Sequence, residues 1–67
     1  MRLIIKAPKG LRSFCLIEAE KYEMEEFGKR DILDKKEVRL DFGGNIVIVT
    51  LYHTMHSIIA DAQKITI

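Results

Sequence analysis

Sixty-seven residues, 48% of them apolar, fit one domain near the lower size at which a chain folds without disulfides or metal. A single cysteine excludes an internal disulfide, and no apolar run approaches the ~20 residues of a membrane-spanning helix. Eleven basic and ten acidic side chains leave a net charge of +1, too small an excess for an autonomous nucleic-acid binder.

Met1-Arg2-Leu3-Ile4-Ile5-Lys6 carries charge too early for a secretory leader, so the expected compartment is the cytoplasm. Leu3, Ile5 and Ala7 alternate with Arg2, Ile4 and Lys6, which predicts a short first strand. Pro8-Lys9-Gly10 stops it, because proline lacks an amide donor and glycine permits a sharp turn. Leu11 to Phe27 reads as a helix with Leu11, Phe14, Cys15, Ala19 and Tyr22 on one face and Gly28 at its C-terminal stop. Residues 29–36 form a charged connection in which Ile32 and Leu33 are the apolar positions.

Residues 37–50 write a β-hairpin. Val38, Leu40 and Phe42 point one way and Glu37, Arg39 and Asp41 the other. Gly43-Gly44 suits a two-residue turn, which pairs Phe42 with Asn45, Leu40 with Val47 and Val38 with Val49. The core face then holds Val38, Leu40, Phe42, Val47 and Val49, while Ile46 and Ile48 fall on the opposite face beside Asp41 and Arg39. A strand apolar on both faces requires two covers, and a chain this short hardly supplies them.

The last segment supports two readings. Leu51, Met55, Ile58, Ala62 and Ile65 recur at spacings of 4, 3, 4 and 3, which predicts a helix to about residue 64, with Thr50 as its cap. Lys64-Ile65-Thr66-Ile67 alternates and fits a fourth strand. The expected fold is a single α+β domain over residues 1–67, of order β-α-β-β-α with an optional final β. Two helices would pack on one face of an antiparallel sheet in a ferredoxin-like sandwich.

Catalytic and metal chemistry find little support. His53 and His56 lie three apart on the expected last helix, and Cys15 could join them. No paired cysteines or nearby carboxylate completes a zinc set, so no metal or other cofactor is expected. Cys15 falls on the main apolar helix face, where a buried small hydrophobe is the better reading than a nucleophile. Pro8-Lys9-Gly10-Leu11-Arg12 runs into a helix start and could cradle an anion, as in a small acylphosphatase-like hydrolase. One glycine and no phosphate-loop signature make it a plain turn.

Lys9, Arg12, Lys29, Arg30, Lys35 and Lys36 are the candidate RNA-phosphate contacts. Glu18, Glu20, Glu23, Glu25 and Glu26 make the helix acidic, and no strand carries paired stacking aromatics, so RNA is expected only as a contact within a larger assembly. The association signal is stronger. Leu16 and Phe27 lie on one flank of the helix, Ile17 and Met24 on another, and Ile46 and Ile48 on the far side of the sheet. These six are the candidate interface residues for a homo- or heterodimeric partner.

Lys36-Glu37-Val38-Arg39-Leu40-Asp41-Phe42-Gly43-Gly44-Asn45-Ile46-Val47-Ile48-Val49 is similar to the central hairpin of the small dimerising subunit of the KEOPS tRNA-modification complex. His56-Ser57-Ile58-Ile59 sits where that family's final helix shows a polar-Ser-apolar run. That helix usually includes an arginine, whereas residues 51–65 hold only Lys64 as a basic residue. The resemblance implies the dimerising subunit or a diverged paralogue that pairs with it, an accessory role in forming threonylcarbamoyl-adenosine, and no catalytic residue on this chain. Ala7-Pro8-Lys9-Gly10-Leu11 together with Gln63-Lys64-Ile65-Thr66-Ile67 also resembles the N-terminal ferredoxin-like module of THUMP tRNA-modifying enzymes, which implies a tRNA-binding module.

Overall fold

The structure, a computed structural model, describes residues 2–27 and 35–65, without the side chains at 26 and 27. Strand β1 (Arg2–Lys6) leads through Ala7-Pro8 into a 3-10 turn (Lys9–Leu11) and helix α1 (Arg12–Phe27). Strands β2 (Lys36–Phe42), β3 (Asn45–His53) and β4 (Ser57–Ile65) follow. The strands form one sheet in the order β1-β4-β3-β2. β3 pairs antiparallel with β2 on one side and β4 on the other, while β1 pairs with β4 in parallel, Arg2 opposite Ser57 and Lys6 opposite Asp61.

The hairpin has the register that its sequence dictates. Phe42 pairs with Asn45, Leu40 with Val47 and Val38 with Val49. Gly43 and Gly44 take φ of 60° and 82°, the left-handed values that a twisted two-residue hairpin turn requires of both central residues.

One helix covers one face of the sheet. Leu11, Cys15, Ala19 and Tyr22 of the helical segment meet Val47, Val49 and Leu51 of β3 and Ile58 and Ala60 of β4, all buried. Leu3 and Ile5 of β1 and Val38 and Leu40 of β2 pack at the margins. Each fully buried large side chain contributes about 1.5–3 kcal/mol. Tyr22, Leu11, Leu51 and Ile58 are the largest of these and supply most of the cohesion.

The expected second helix does not form. Residues 51–53 complete β3, Thr54 closes a turn by donating its amide to the Ser57 carbonyl at 2.7 Å, and residues 57–65 are a strand, so Thr50 caps nothing. A final strand forms, but it starts at Ser57, seven residues before the alternating tail and where the spacing predicts a helix; Thr66 and Ile67 of that tail lie outside the described residues. The sheet is therefore mixed rather than antiparallel, and the two-helix ferredoxin-like sandwich is replaced by β-α-β-β-β with a single helix.

The reason is a coincidence of phase. Leu51 faces α1 from β3, and Ile58 and Ala62 face it from β4. The turn at Thr54–Ser57 shifts the odd positions of β3 onto the even positions of β4, so inward Leu51, Ile58 and Ala62 fall at helical intervals, while Met55, exposed in the turn, and Ile65, on the opposite face, complete the stripe by coincidence. Ile58-Ile59, β-branched and adjacent, then prefer the extended pairing that β1 and β3 offer on either side.

Gly28, Ile32 and Leu33, singled out in the sequence, lie outside the described residues, as do Lys29 and Arg30 and the side chain of Phe27.

Candidate functional site

The face of the sheet turned away from α1 carries no packed element among the described residues. Cross-strand register arranges its side chains in rows. Lys35 at the head of β2, Tyr52, Ile59 and Ile4 form the first. The Lys35 ammonium sits 5.7 Å from the centroid of the Tyr52 ring, a cation–π contact. Ile59 is only 8% exposed because Tyr52 and Ile4 flank it on both neighbouring strands. The second row, Glu37-Thr50-Asp61-Lys6, is polar across all four strands. The third sets Ile48 between Arg39 and Gln63, and the fourth sets Ile46 between Asp41 and Ile65, which is 46% exposed.

The face is thus two apolar patches, Ile4-Tyr52-Ile59 and Ile46-Ile48-Ile65, separated by a polar band and bordered by charges of both signs. Water over such a surface is displaced favourably by an apolar partner, and the bordering charges restrict which partner fits.

The candidate interface residues fall on two surfaces. Ile46 and Ile48 stand half-buried on the open face. Leu16, Ile17 and Met24 are 41%, 53% and 79% exposed on the outside of α1. The helix and sheet positions therefore do not form one continuous patch, since the whole domain separates them.

The candidate RNA contacts are not brought together either. Lys9 and Arg12 stand at the end of the domain where the Gly43-Gly44 turn lies, and the Arg12 guanidinium reaches back to donate to the Ile5 carbonyl at 3.4 Å. Lys35 and Lys36 occupy the other end of β2, and they part to opposite faces. Lys35 covers Tyr52, whereas Lys36 donates to both carboxylate oxygens of Glu25 on α1 at 3.0 and 3.1 Å.

His53 and His56 are not on a helix. His53 ends β3 with its ring tilted against Tyr22, centroids 5.8 Å apart and Nε2 buried, while His56 is exposed in the following turn, where its carbonyl accepts from the Arg2 amide. Cys15 is fully buried in the core, and burial pushes its thiol above the ordinary range. Arg12 pulls it down and Glu18 adds to the rise. Among the described residues no three His, Cys, Asp or Glu side chains converge as metal ligands.

Pro8-Lys9-Gly10-Leu11 is a 3-10 turn closed by the Leu11 amide donating to the Pro8 carbonyl at 2.9 Å, with no side-chain cap. Its glycine lets the half-exposed Phe42 ring lie close, and a side chain there would push that ring aside. A Cβ on Gly10 would stand 2.9 Å from Cζ of Phe42. This approach forms one wall of an open cleft of about 330 Å³, floored by Leu11, Val47 and Ala62 and edged by Lys64. The cleft has no sequence signature, because its walls come from three separated stretches of chain, 8–11, 42–47 and 62–64.

Comparison with family models, with curated proteins and with solved structures returned no match. Among the described residues no helix is long and apolar enough to cross a membrane.

Proposed function

We propose that this chain is a non-catalytic protein-interaction subunit whose open sheet face binds a protein partner. The cytoplasm is its compartment in this reading. The hairpin's similarity to the KEOPS dimerising subunit suggests a tRNA-modification assembly as the setting, and any tRNA contact would come through that assembly. The final-helix part of that similarity no longer supports it, since His56-Ser57-Ile58-Ile59 leads into a strand.

The observation that carries the reading is the uncovered apolar surface on β3 and β4, where half-buried Ile46 and Ile48 and exposed Ile65 stand opposite the only described helix. Exposed apolar side chains grouped on one side of a small domain mark an association surface.

The test is binding between the purified chain and KEOPS subunits, with Ile48→Asp as the control for the surface. The expected result is a complex with wild type that Ile48→Asp abolishes while the variant keeps its fold. A wild-type chain that ignores every subunit of the complex rejects the tRNA-modification setting. A partner retained equally by Ile48→Asp rejects the open face as the binding surface. Turnover of an acyl phosphate that is lost in Arg12→Ala would reverse the non-catalytic assignment.

A further inference from the structure

We infer that the outer edge of β2 is a self-pairing edge, and that two copies of the chain join there, antiparallel, about a twofold axis beside Val38. The inference is independent of whatever covers the open face, because it concerns the rim of the sheet.

β2 ends the sheet, and among the described residues nothing pairs with its outer side. A two-residue turn closes on a hydrogen-bonded pair, here Phe42 and Asn45. Amide groups alternate in direction along a strand. Those of Leu40, Val38 and Lys36 therefore also point to β3, and those of Asp41, Arg39, Glu37 and Lys35 point outward. These four outward residues put their side chains on the open face in the order plus, minus, plus, minus.

A reversed copy of that series is its own complement. With the axis at Val38, Glu37 lies opposite Arg39 of the second copy, and Lys35 lies opposite its Asp41. Each of these pairs exchanges two main-chain hydrogen bonds beneath an ion pair.

Other registers that keep the faces aligned do worse. An axis at Arg39 sets Arg39 against itself and Glu37 against Asp41. An axis at Glu37 sets Glu37 against itself and Lys35 against Arg39. An axis at Leu40 also sets Arg39 against Asp41 but leaves Glu37 opposite the Gly43 turn. An axis at Lys36 pairs Lys35 with Glu37 but sets Lys36 against itself and leaves Arg39 and Asp41 opposite positions outside the described residues. A shift by one residue exchanges the faces and misaligns the outward amides.

The covered side agrees with the Val38 axis. α1 packs over β1, β4 and β3, leaving Val38 and Leu40 half-buried and Phe42 44% exposed. At this axis Val38 meets Val38 of the second copy as a non-hydrogen-bonded pair, the position where facing side chains approach most closely. The opposite rim does not offer the same fit. Self-pairing of the shorter β1 about Ile4 would set Arg2 against Lys6, cation against cation. Isologous pairing at β2 alone closes at two copies rather than growing a fibre.

Sedimentation equilibrium and light scattering over a micromolar to millimolar range test this. The expected wild-type species at the upper end is a discrete dimer. Glu37→Lys and Arg39→Glu each place like charges across the axis twice, and each should weaken self-association roughly ten- to a hundredfold. An equimolar mixture of the two variants restores opposite charge at every pair and should form the heterodimer at near wild-type strength. Far-UV circular dichroism of each variant establishes that it is folded.

A wild type that stays monomeric throughout overturns the inference, and so does a mixture in which no heterodimer forms. A dimer indifferent to both charge variants but lost in Ile48→Asp also overturns it, and assigns self-association to the open face instead.

Discussion

Neighbouring residues on β3 should respond to the same substitution to very different degrees. Val49 is fully buried under α1, and Ile48 stands half-buried on the open face between Arg39 and Gln63. A chain of this length is stabilised by about 3–10 kcal/mol in total. Val49→Asp removes about 1.5–3 kcal/mol of apolar burial. It also places a carboxylate among Cys15, Ala19 and Leu51 with no partner, at a cost of several kcal/mol more. The sum matches or exceeds the whole stability, so the variant should be unfolded at 25 °C.

Ile48→Asp loses strand preference and partial burial, about 1–2 kcal/mol, and Arg39 directly opposite returns a few tenths. Its melting temperature should fall by roughly 5–15 °C with a cooperative transition retained. Far-UV circular dichroism melts of both variants decide the matter. Equal collapse of both would place Ile48 in a second core, and a folded Val49→Asp would refute the assignment of α1 to that face.

The Lys36–Glu25 ion pair is exposed on both sides, so a double-mutant cycle with Lys36→Ala and Glu25→Ala should give at most about 1 kcal/mol of coupling, vanishing in high salt. The Cys15 thiol titrates above its ordinary 9.0 when folded, so the unfolded state releases its proton first. Its contribution is complete below that value and declines as pH rises toward the folded pKa. Urea titrations of wild type above pH 9 should show a fall that Cys15→Ala lacks, and thiol reagents should label the native chain only through unfolding. Alanine at Gly43 or Gly44 enters left-handed backbone and should cost about 1–2 kcal/mol each, read as a lower urea midpoint at unchanged m, with Asn at Gly43 milder.

Local pattern carried the reading where one element decides its own geometry. Strict alternation from Glu37 to Phe42 and two glycines in the turn favoured the register that forms, although a strand apolar on both faces also allowed a slip, and the Leu11-Cys15-Ala19-Tyr22 stripe marked the buried side of the helix. The reading failed where distant chain decides. Nothing near Ile58 announces that β1 will lie beside it, so a spacing produced by a turn between two strands passed for a helical face. The open face was legible through Ile46 and Ile48, whereas Ile4, Tyr52, Ile59 and Ile65 joined it only once the order of strands was known. The cleft at Phe42 and the burial of His53 against Tyr22 likewise depend on tertiary placement.

The parallel pairing of β1 with β4 has a temporal consequence. Arg2 leaves the ribosome before its neighbour across the sheet, Ser57, which lies far downstream in the chain. Until β4 arrives, the hairpin and β1 cannot share a sheet, since β4 is the strand that joins them. Leu3 and Ile5 must therefore wait on a nascent chain with only the helix for shelter, so completion of the fold is gated by synthesis, and a stalled chain ending before Ser57 is the species that chaperones would meet.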